Sequence, residues 1–455
     1  MTRNMTSGSP IKHIIGFTIP LLLGNLFQQL YTMIDTVIVG RTLGADALGS
    51  VGATTAVSFL TLGFCLGISA GFCIPVAQNF GAEDYKALRR FVGNIIWLLI
   101  FFSAGITVLT VSSCRTILEF IGTPKNIFEG AYGYLLITFI GIPSLLTYNT
   151  ASGIMRSLGD SRTPLFFLIL SSFMNIGLDF LFILVFNLGV PGAALATVLS
   201  QTFACVGCIV VILRRYDVLR LTKNDLKIRR ECIKSLLLVG VPMGLQYSIT
   251  GIGNVVLQSS VNALGSVYVA AMTAGSRISL LFICANDSLG AAMATYSSQN
   301  IGAGKVRRVQ RGMYAGVTIG LIYFAVSFIT CFFVGKSMIA MFLENPTEQI
   351  IQSAHQYLLI GSFFWIPHAV INIFRLLIQG LGYSRLAMCA GILEMIARGS
   401  IGFFFVPTFG FIAVCFSGPA AWVLADIFLV PAYFIIMKKL KRTIPDTETA
   451  LAAAP

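Results

Sequence analysis

Residues 91 to 113, FVGNIIWLLIFFSAGITVLTVSS, run for 23 positions without an acidic or basic side chain. A helix of that length crosses a hydrocarbon core about 30 Å thick. Comparable stretches recur along the whole chain, near 14–38, 50–77, 91–113, 131–152, 164–186, 192–213, 235–260, 269–298, 312–334, 351–378, 386–408 and 411–436. Only 11% of the residues are charged and 56% are hydrophobic, where a soluble domain carries about 25% charged residues. The expectation is an all-α membrane protein of twelve transmembrane helices. The polar first ten residues, with no small-residue cleavage site after the first apolar run, read as the start of a retained helix and not of a signal peptide.

The net charge of +13 would suit a nucleic-acid binder, but the basic residues alternate with the loops. One set of loops, counted from the N-terminus, holds 24 Lys and Arg; the opposite set holds Arg41, Arg115, Lys125 and Lys336. This is the positive-inside bias, which places both termini in the cytoplasm of a multi-pass protein of the cell membrane. Nucleic acid is not an expected partner; membrane lipid is.

The sequence also repeats at a spacing of about 222 residues. GFTIP ending at Pro20 answers VGVP ending at Pro242, and QNFGAEDYKALRR (78–90) answers QNIGAGKVRRVQR (299–311). YLLITFIGIP (134–143) pairs with YLLIGSFFWIP (357–367), and SLGDSR (157–162) with GLGYSR (380–385). Two pseudo-symmetric six-helix bundles are therefore expected: an N-lobe over 1–213, a cytoplasmic linker over 214–234, a C-lobe over 235–440, and a disordered cytoplasmic tail over 441–455. An even number of spans per repeat gives both lobes one orientation, as in parallel-repeat transporters. The eight basic residues of the linker read as topological retention charges before lipid-headgroup contacts.

Enzyme chemistry finds no foothold. His13, His355 and His368 are too scattered for a metal cluster, and neither a P-loop nor Gly-x-Ser-x-Gly occurs. Cys205 and Cys208 form a CxxC, but in apolar mid-membrane sequence they read as small packing residues. No cofactor is expected.

What stands out is charge where charge is costly. Asp35, Asp179, Asp287, Glu394 and Asp426 fall inside the spans, each at a cost of about 2.5–3.5 kcal/mol at the bilayer centre on the insertion scale. Glu394 and Arg398 are spaced i,i+4, so an intrahelical ion pair accounts for them. Asp287 could pair with Arg277 or with polar neighbours, and Asp426 has no evident sequence partner. Asp179 differs because Asn175 lies four residues earlier, which stacks amide and carboxylate on one helix face. Asp35 adds a second carboxylate in the same lobe, and Thr197 a hydroxyl on the next helix. Two carboxylates in low dielectric cannot both stay ionised cheaply, so the group should share a proton or hold a small hard cation. Hydrogen-bond glue between helices explains Asn175 or Thr197 singly, but two aspartates poorly.

The phrase YTMIDTVIVGRTLGADAL in the first helix, the paired QNxGA loops, the LGDSRTP loop and the MNIGLDFLFI helix together resemble the multidrug and toxic compound extrusion (MATE) family over nearly the whole chain up to about residue 440. The resemblance implies an antiporter that exports drugs and other amphipathic, often cationic, organic compounds as H+ or Na+ enters. Carried over by position, it implies a cation or proton coupling site at Asp35, Asn175, Asp179 and Thr197, with Na+ held by the first three if Na+ is the ion. It implies a helix bend at Pro20 and a substrate cavity that takes in Gln28, Tyr31, Asn149 and Gln258. A monomer is expected. One departure is Thr250, where some branches carry an acidic residue, so a C-lobe cation site of that kind is not expected.

Three other functions share parts of this pattern. A flippase for lipid-linked precursors or polysaccharide, of the same superfamily, would need basic residues for pyrophosphate, and only Arg277, Arg375 and Arg398 lie within spans. A sugar-porter-like 6+6 transporter fits the topology but lacks the basic GxxxDRxGRR-type loop. A membrane protein with a purely structural or sensory role fits poorly with duplicated helices that bury acids.

Overall fold

The computed structural model describes residues 4–342 and 347–444. Among them the chain is almost entirely helical: α1 (Pro10–Leu43), α2 (Ala45–Gly81), α3 (Tyr85–Phe120), α4 (Lys125–Ile140), α5 (Ile142–Ser157), α6 (Arg162–Phe180), α7 (Val190–Arg215), α8 (Arg230–Ala263), α9 (Ser266–Gly302), α10 (Val306–Phe342), α11 (Glu348–Phe363), α12 (Trp365–Gly380), α13 (Ser384–Ser400), the short α14 (Val406–Phe409) and α15 (Phe411–Thr443). Ten helices are long and apolar enough to cross a membrane, and two bent pairs, each counted as one span, bring the number to twelve. The expected tail is helical as far as Thr443, and residues 445–455 lie outside the described residues.

The bent pairs revise the sequence reading, which took 131–152 and 351–378 as continuous helices. α4 and α5 meet at 46°, α11 and α12 at 52°. Each second helix starts just before a proline, α5 one residue before Pro143 and α12 two residues before Pro367. Proline has no N–H to give the preceding turn and its ring crowds the carbonyl there, so the helix is interrupted and restarts with proline in its first turn. The repeated Ile-Pro step, a mark of duplication in the sequence, also places the break.

The chain divides into two compact units. One contains Leu23–Gly244, the other Met5–Leu22 and the described residues from Leu245 on. Each division falls two residues beyond a proline, Pro20 in α1 and Pro242 in α8. The first unit thus holds the opening turns of α8 as well as α2–α7. α2 receives them through glycines: a Cβ on Gly67 would lie 2.4 Å from the Met243 carbonyl oxygen, and one on Gly71 2.5 Å from Gly240 Cα. Such contact between backbones is how helices associate where lipid removes most of the hydrophobic drive.

A short leader precedes α1 and α8 alike, and each leader is held by its backbone. Before α8, Asn94 of α3 accepts from the Arg229 amide at 2.9 Å and donates to the Lys227 carbonyl at 3.3 Å, while Trp97 Nε1 donates to the Leu226 carbonyl at 2.8 Å. Burial alone would raise the Asp225 carboxyl, but bonds from the Thr222 hydroxyl and amide, with Arg89 and Arg90 close by, hold it below the usual carboxylate range. Before α1, in the second unit, Met5 is fully buried, its amide on Gln299 Oε1 at 2.9 Å and its carbonyl on Arg308 Nη2 at 3.0 Å. Lys305 Nζ holds the Thr6 carbonyl at 2.8 Å, and Arg308 also reaches Ser7 at 2.7 Å. QNIGAGKVRR, read from sequence as a repeat marker with topological charge, is therefore a peptide cradle as well.

Asp160 explains the LGDSRTP phrase. Its carboxylate accepts from the amides of Arg162 and Thr163, both at 3.0 Å, from the Thr163 hydroxyl at 2.6 Å and from Tyr216 OH at 2.5 Å. It caps α6 and ties it to the end of α7. Replacing Asn94 with Ala should cost the linker about 1–3 kcal/mol of docking, and trypsin should then cleave after Arg220 or Lys227 faster than in the parent protein.

Candidate functional site

α6 carries Asn175 and Asp179 one turn apart, and both are shut away from solvent, at 1% and 0% exposure. Asn175 Nδ2 donates to Thr197 Oγ1 on α7 at 3.4 Å, a long bond that fixes which way the amide faces. Asp35, half-buried on α1, comes within side-chain hydrogen-bonding reach of Asp179. The four residues proposed from sequence as a coupling group therefore meet, and all four belong to the first unit.

The group is short of donors. Asp35 Oδ1, Asn175 Oδ1 and both oxygens of Asp179 are buried without a donated hydrogen bond. Two carboxyl groups face each other there, and only a proton between them would supply an O–H. Buried acceptors left in that state cost roughly 1–3 kcal/mol each, more when charged. The vacant lone pairs fit either a shared proton or a small hard cation held by oxygen. If a cation is bound, Asp35, Asn175 and Asp179 would hold it, and it would supply the countercharge that the carboxylates lack.

Two features were not anticipated. Tyr134 on α4 lies in the electrostatic field of both aspartates together with Tyr31, so a second phenol borders the pair. The repeated Tyr-Leu-Leu-Ile phrase, Tyr134 against Tyr357, was the available signal. In addition, α6 passes into a π-helical turn, Leu181–Val185, two residues beyond Asp179, and α13 does the same at Ile401–Phe405. Such turns widen a helix locally and are common at functional sites.

The cavity residues are placed less tightly. Gln28 is exposed on α1, and Tyr31 is partly buried one turn before Asp35. Asn149 donates to the Leu145 carbonyl of its own helix at 2.8 Å, and Gln258 donates to Asn262 Oδ1 at 2.9 Å. Gln258 belongs to the second unit and the other three to the first. Pro20 lies inside α1, which is assigned as one helix from Pro10 to Leu43.

In the second unit Glu394 does meet Arg398, at 3.5 Å, but its shorter partner is Arg375 of α12, at 2.8 Å. Sequence spacing could show the pair on one helix and not the partner from another. The charged groups near Asp287 are Arg375 and Glu394. Near Thr250, Gln246 accepts from Gln379 at 2.6 Å.

Replacing Asp179 with Asn would give the site an N–H donor for Asp35. A hydrogen bond to a charged group is worth about 1.5–3 kcal/mol, so this variant should unfold at a higher temperature in detergent while losing coupling. A lower unfolding temperature would contradict the donor shortage.

Comparison with known proteins adds an independent line. A family model described as MatE matches residues 20–181 and again 242–404, each match starting at one of the two helix prolines. The probable multidrug resistance protein YpnP of Bacillus subtilis (strain 168) is 31% identical, over 81% of this chain and 82% of its own. A FAD transporter of Shewanella oneidensis is 21% identical, over 87% and 88%. Among solved structures, a crystal structure of MATE in complex with MaL6 superposes with a TM-score of 0.91 at 22% identity, covering 97% of this chain and all of that one.

Proposed function

Because the chain belongs to the MatE family, whose members are membrane transporters and not enzymes, we propose that it is a secondary active antiporter that exports amphipathic, cationic organic compounds as H+ or Na+ enters. The observation that carries the ion-coupling part is the Asp35–Asn175–Asp179–Thr197 group, with its buried oxygens lacking donors. The efflux part is supported by relatives named for multidrug resistance.

Coupling requires that the ion bind one arrangement of the protein more tightly than the other; equal affinity for both would shift nothing. In the proposed cycle the empty site is strained by two facing carboxylates. Loading a proton or Na+ relieves the strain, draws α1 toward α6, and bends α1 near Pro20 as substrate leaves. Substrate binding in the opposite arrangement favours unloading of the ion. Alternating access between the N- and C-lobes, a place in the cell membrane with both termini cytoplasmic, and a monomeric unit complete the reading.

A flippase role is less favoured, because two of the three basic residues within spans, Arg375 and Arg398, are already engaged by Glu394. A pyrophosphate headgroup would have to displace that carboxylate.

The experiment is efflux of a fluorescent organic cation from proteoliposomes with Na+ and proton gradients imposed separately. One gradient should drive transport, and Asp35→Asn or Asp179→Asn should reduce it at least about tenfold, the scale of a lost 1.4 kcal/mol. Full gradient-driven efflux in either variant would remove the assignment of the coupling site.

A further inference from the structure

The linker before α8 reads from sequence as topological charge, but its seating gives it a further use. Its backbone lies directly on α3: a Cβ on Gly93 would collide with the Asp225 carbonyl oxygen, and Asn94 binds both the Lys227 carbonyl and the Arg229 amide. Asn94 also donates to the Arg90 carbonyl one turn back, at 2.8 Å. Arg89 and Arg90 of α3 are thereby brought beside Lys227, Arg229 and Arg230, all within the first unit and on backbone held by hydrogen bonds.

The charge of this patch is not met by the chain. Residues 223–231 together with Arg89 and Arg90 hold six cations and two acids, Asp225 and Glu231. Asp225 is occupied by the Thr222 amide and hydroxyl, and Arg89 Nε stands off from it at 3.7 Å. The Nε atoms of Arg90 and Arg229 are buried with no acceptor among the described residues. Apolar side chains are exposed among these cations: Leu226 and Ile228, which alternate with Lys227 and Arg229, and Trp97, whose Nε1 holds the Leu226 carbonyl. Trp97 lies seven residues past Arg90, about 10 Å farther along α3 and inside its apolar run. Basic residues interleaved with exposed Leu, Ile and an indole that keeps its N–H on a polar atom are the composition of a surface lying at the boundary of hydrocarbon and headgroups.

We propose that Arg90, Arg229 and the strap from Leu226 to Arg230 form a binding site for the phosphate headgroup of an anionic membrane lipid, with Leu226, Ile228 and Trp97 against the upper part of its acyl chains. Guanidinium forks match phosphate oxygens, and an anionic lipid brings the net charge that a zwitterionic one lacks. Asn94 is the positioning residue, since it sets the strap against Arg90. The site shares no residue with the Asp35–Asp179 group. It rests on the chain being a multi-pass membrane protein and not on what the chain exports.

Trp97 can report on the lipid beside it. Of the three tryptophans in the chain, Trp97 is 44% exposed while Trp365 and Trp422 are 2% and 9% exposed, so brominated lipid quenches chiefly Trp97. The full chain is reconstituted in vesicles of phosphatidylglycerol and phosphatidylcholine in equal parts, with one lipid or the other brominated. Quenching should show the anionic lipid favoured about threefold or more over the zwitterionic one at Trp97, and Arg90→Gln combined with Arg229→Gln should bring that ratio to about one. Asn94 holds both arginines through backbone atoms, so this variant keeps the strap seated. Arg214→Gln combined with Arg215→Gln, two exposed charges at the end of α7, should leave the preference unchanged. No preference in the parent protein overturns the proposal. Equal loss in the two double variants also overturns it, since a diffuse field and not a site would then be responsible. Loss of the preference when inorganic phosphate replaces chloride at equal ionic strength overturns the lipid as occupant in favour of a free anion. Because no transported compound enters the measurement, failure here is distinguishable from failure of the efflux reading.

Discussion

Hydrocarbon offers no hydrogen-bond partner, so every polar atom this chain carries into the membrane must be answered by another part of the chain. Most are answered locally, by helix ladders and by hydroxyls bonded to the carbonyl one turn back, as Thr138 does to Tyr134 and Thr202 to Val198. The groups that are not answered locally define the molecule. Asn94 and Trp97 recruit the linker, the Gln299–Arg308 loop recruits Met5 to Ser7, and Asp160 recruits Tyr216. Four of the oxygens left unanswered gather at Asp35, Asn175 and Asp179.

The two halves descend from one pattern but settle their buried charge differently. The first brings two acids together with an amide and a hydroxyl. The second answers its acid with arginines, Arg375 and Arg398 on Glu394. The backbone devices were retained on both sides: the Ile-Pro break in the fourth span of each repeat, the π-turn after α6 and after α13, and the proline near the division of the units. Side chains diverged where chemistry is done, and the helix geometry that presents them did not.

Much of this was legible in the sequence because lipid enforces simple rules. Twelve apolar runs, a 222-residue echo and one acid among apolar neighbours sufficed to find the spans and the group around Asp179. What escaped was set by contacts between helices distant in sequence. Glu394 has a visible i,i+4 partner in Arg398, and nothing in the spacing could reveal that Arg375, nineteen residues earlier, lies nearer. Tyr134 is marked by the repeated Tyr-Leu-Leu-Ile phrase, but its nearness to the two aspartates depends on a contact between distant helices. The bends at Pro143 and Pro367 are readable in principle, since proline restricts the turn before it, but the hydropathy continues across them and masks the break.

The cradle around Met5 bears on how the protein is made. The Met5 amide bonds to Gln299, 294 positions later in the chain. Synthesis runs from the N-terminus, so the residues from Met5 to Ser7 are made well before α9 and the loop after it, on which their seating depends. Through most of translation a segment destined for full burial waits without its partners, and contacts between such distant residues form slowly. A segment made early is thus one of the last pieces to be put in place.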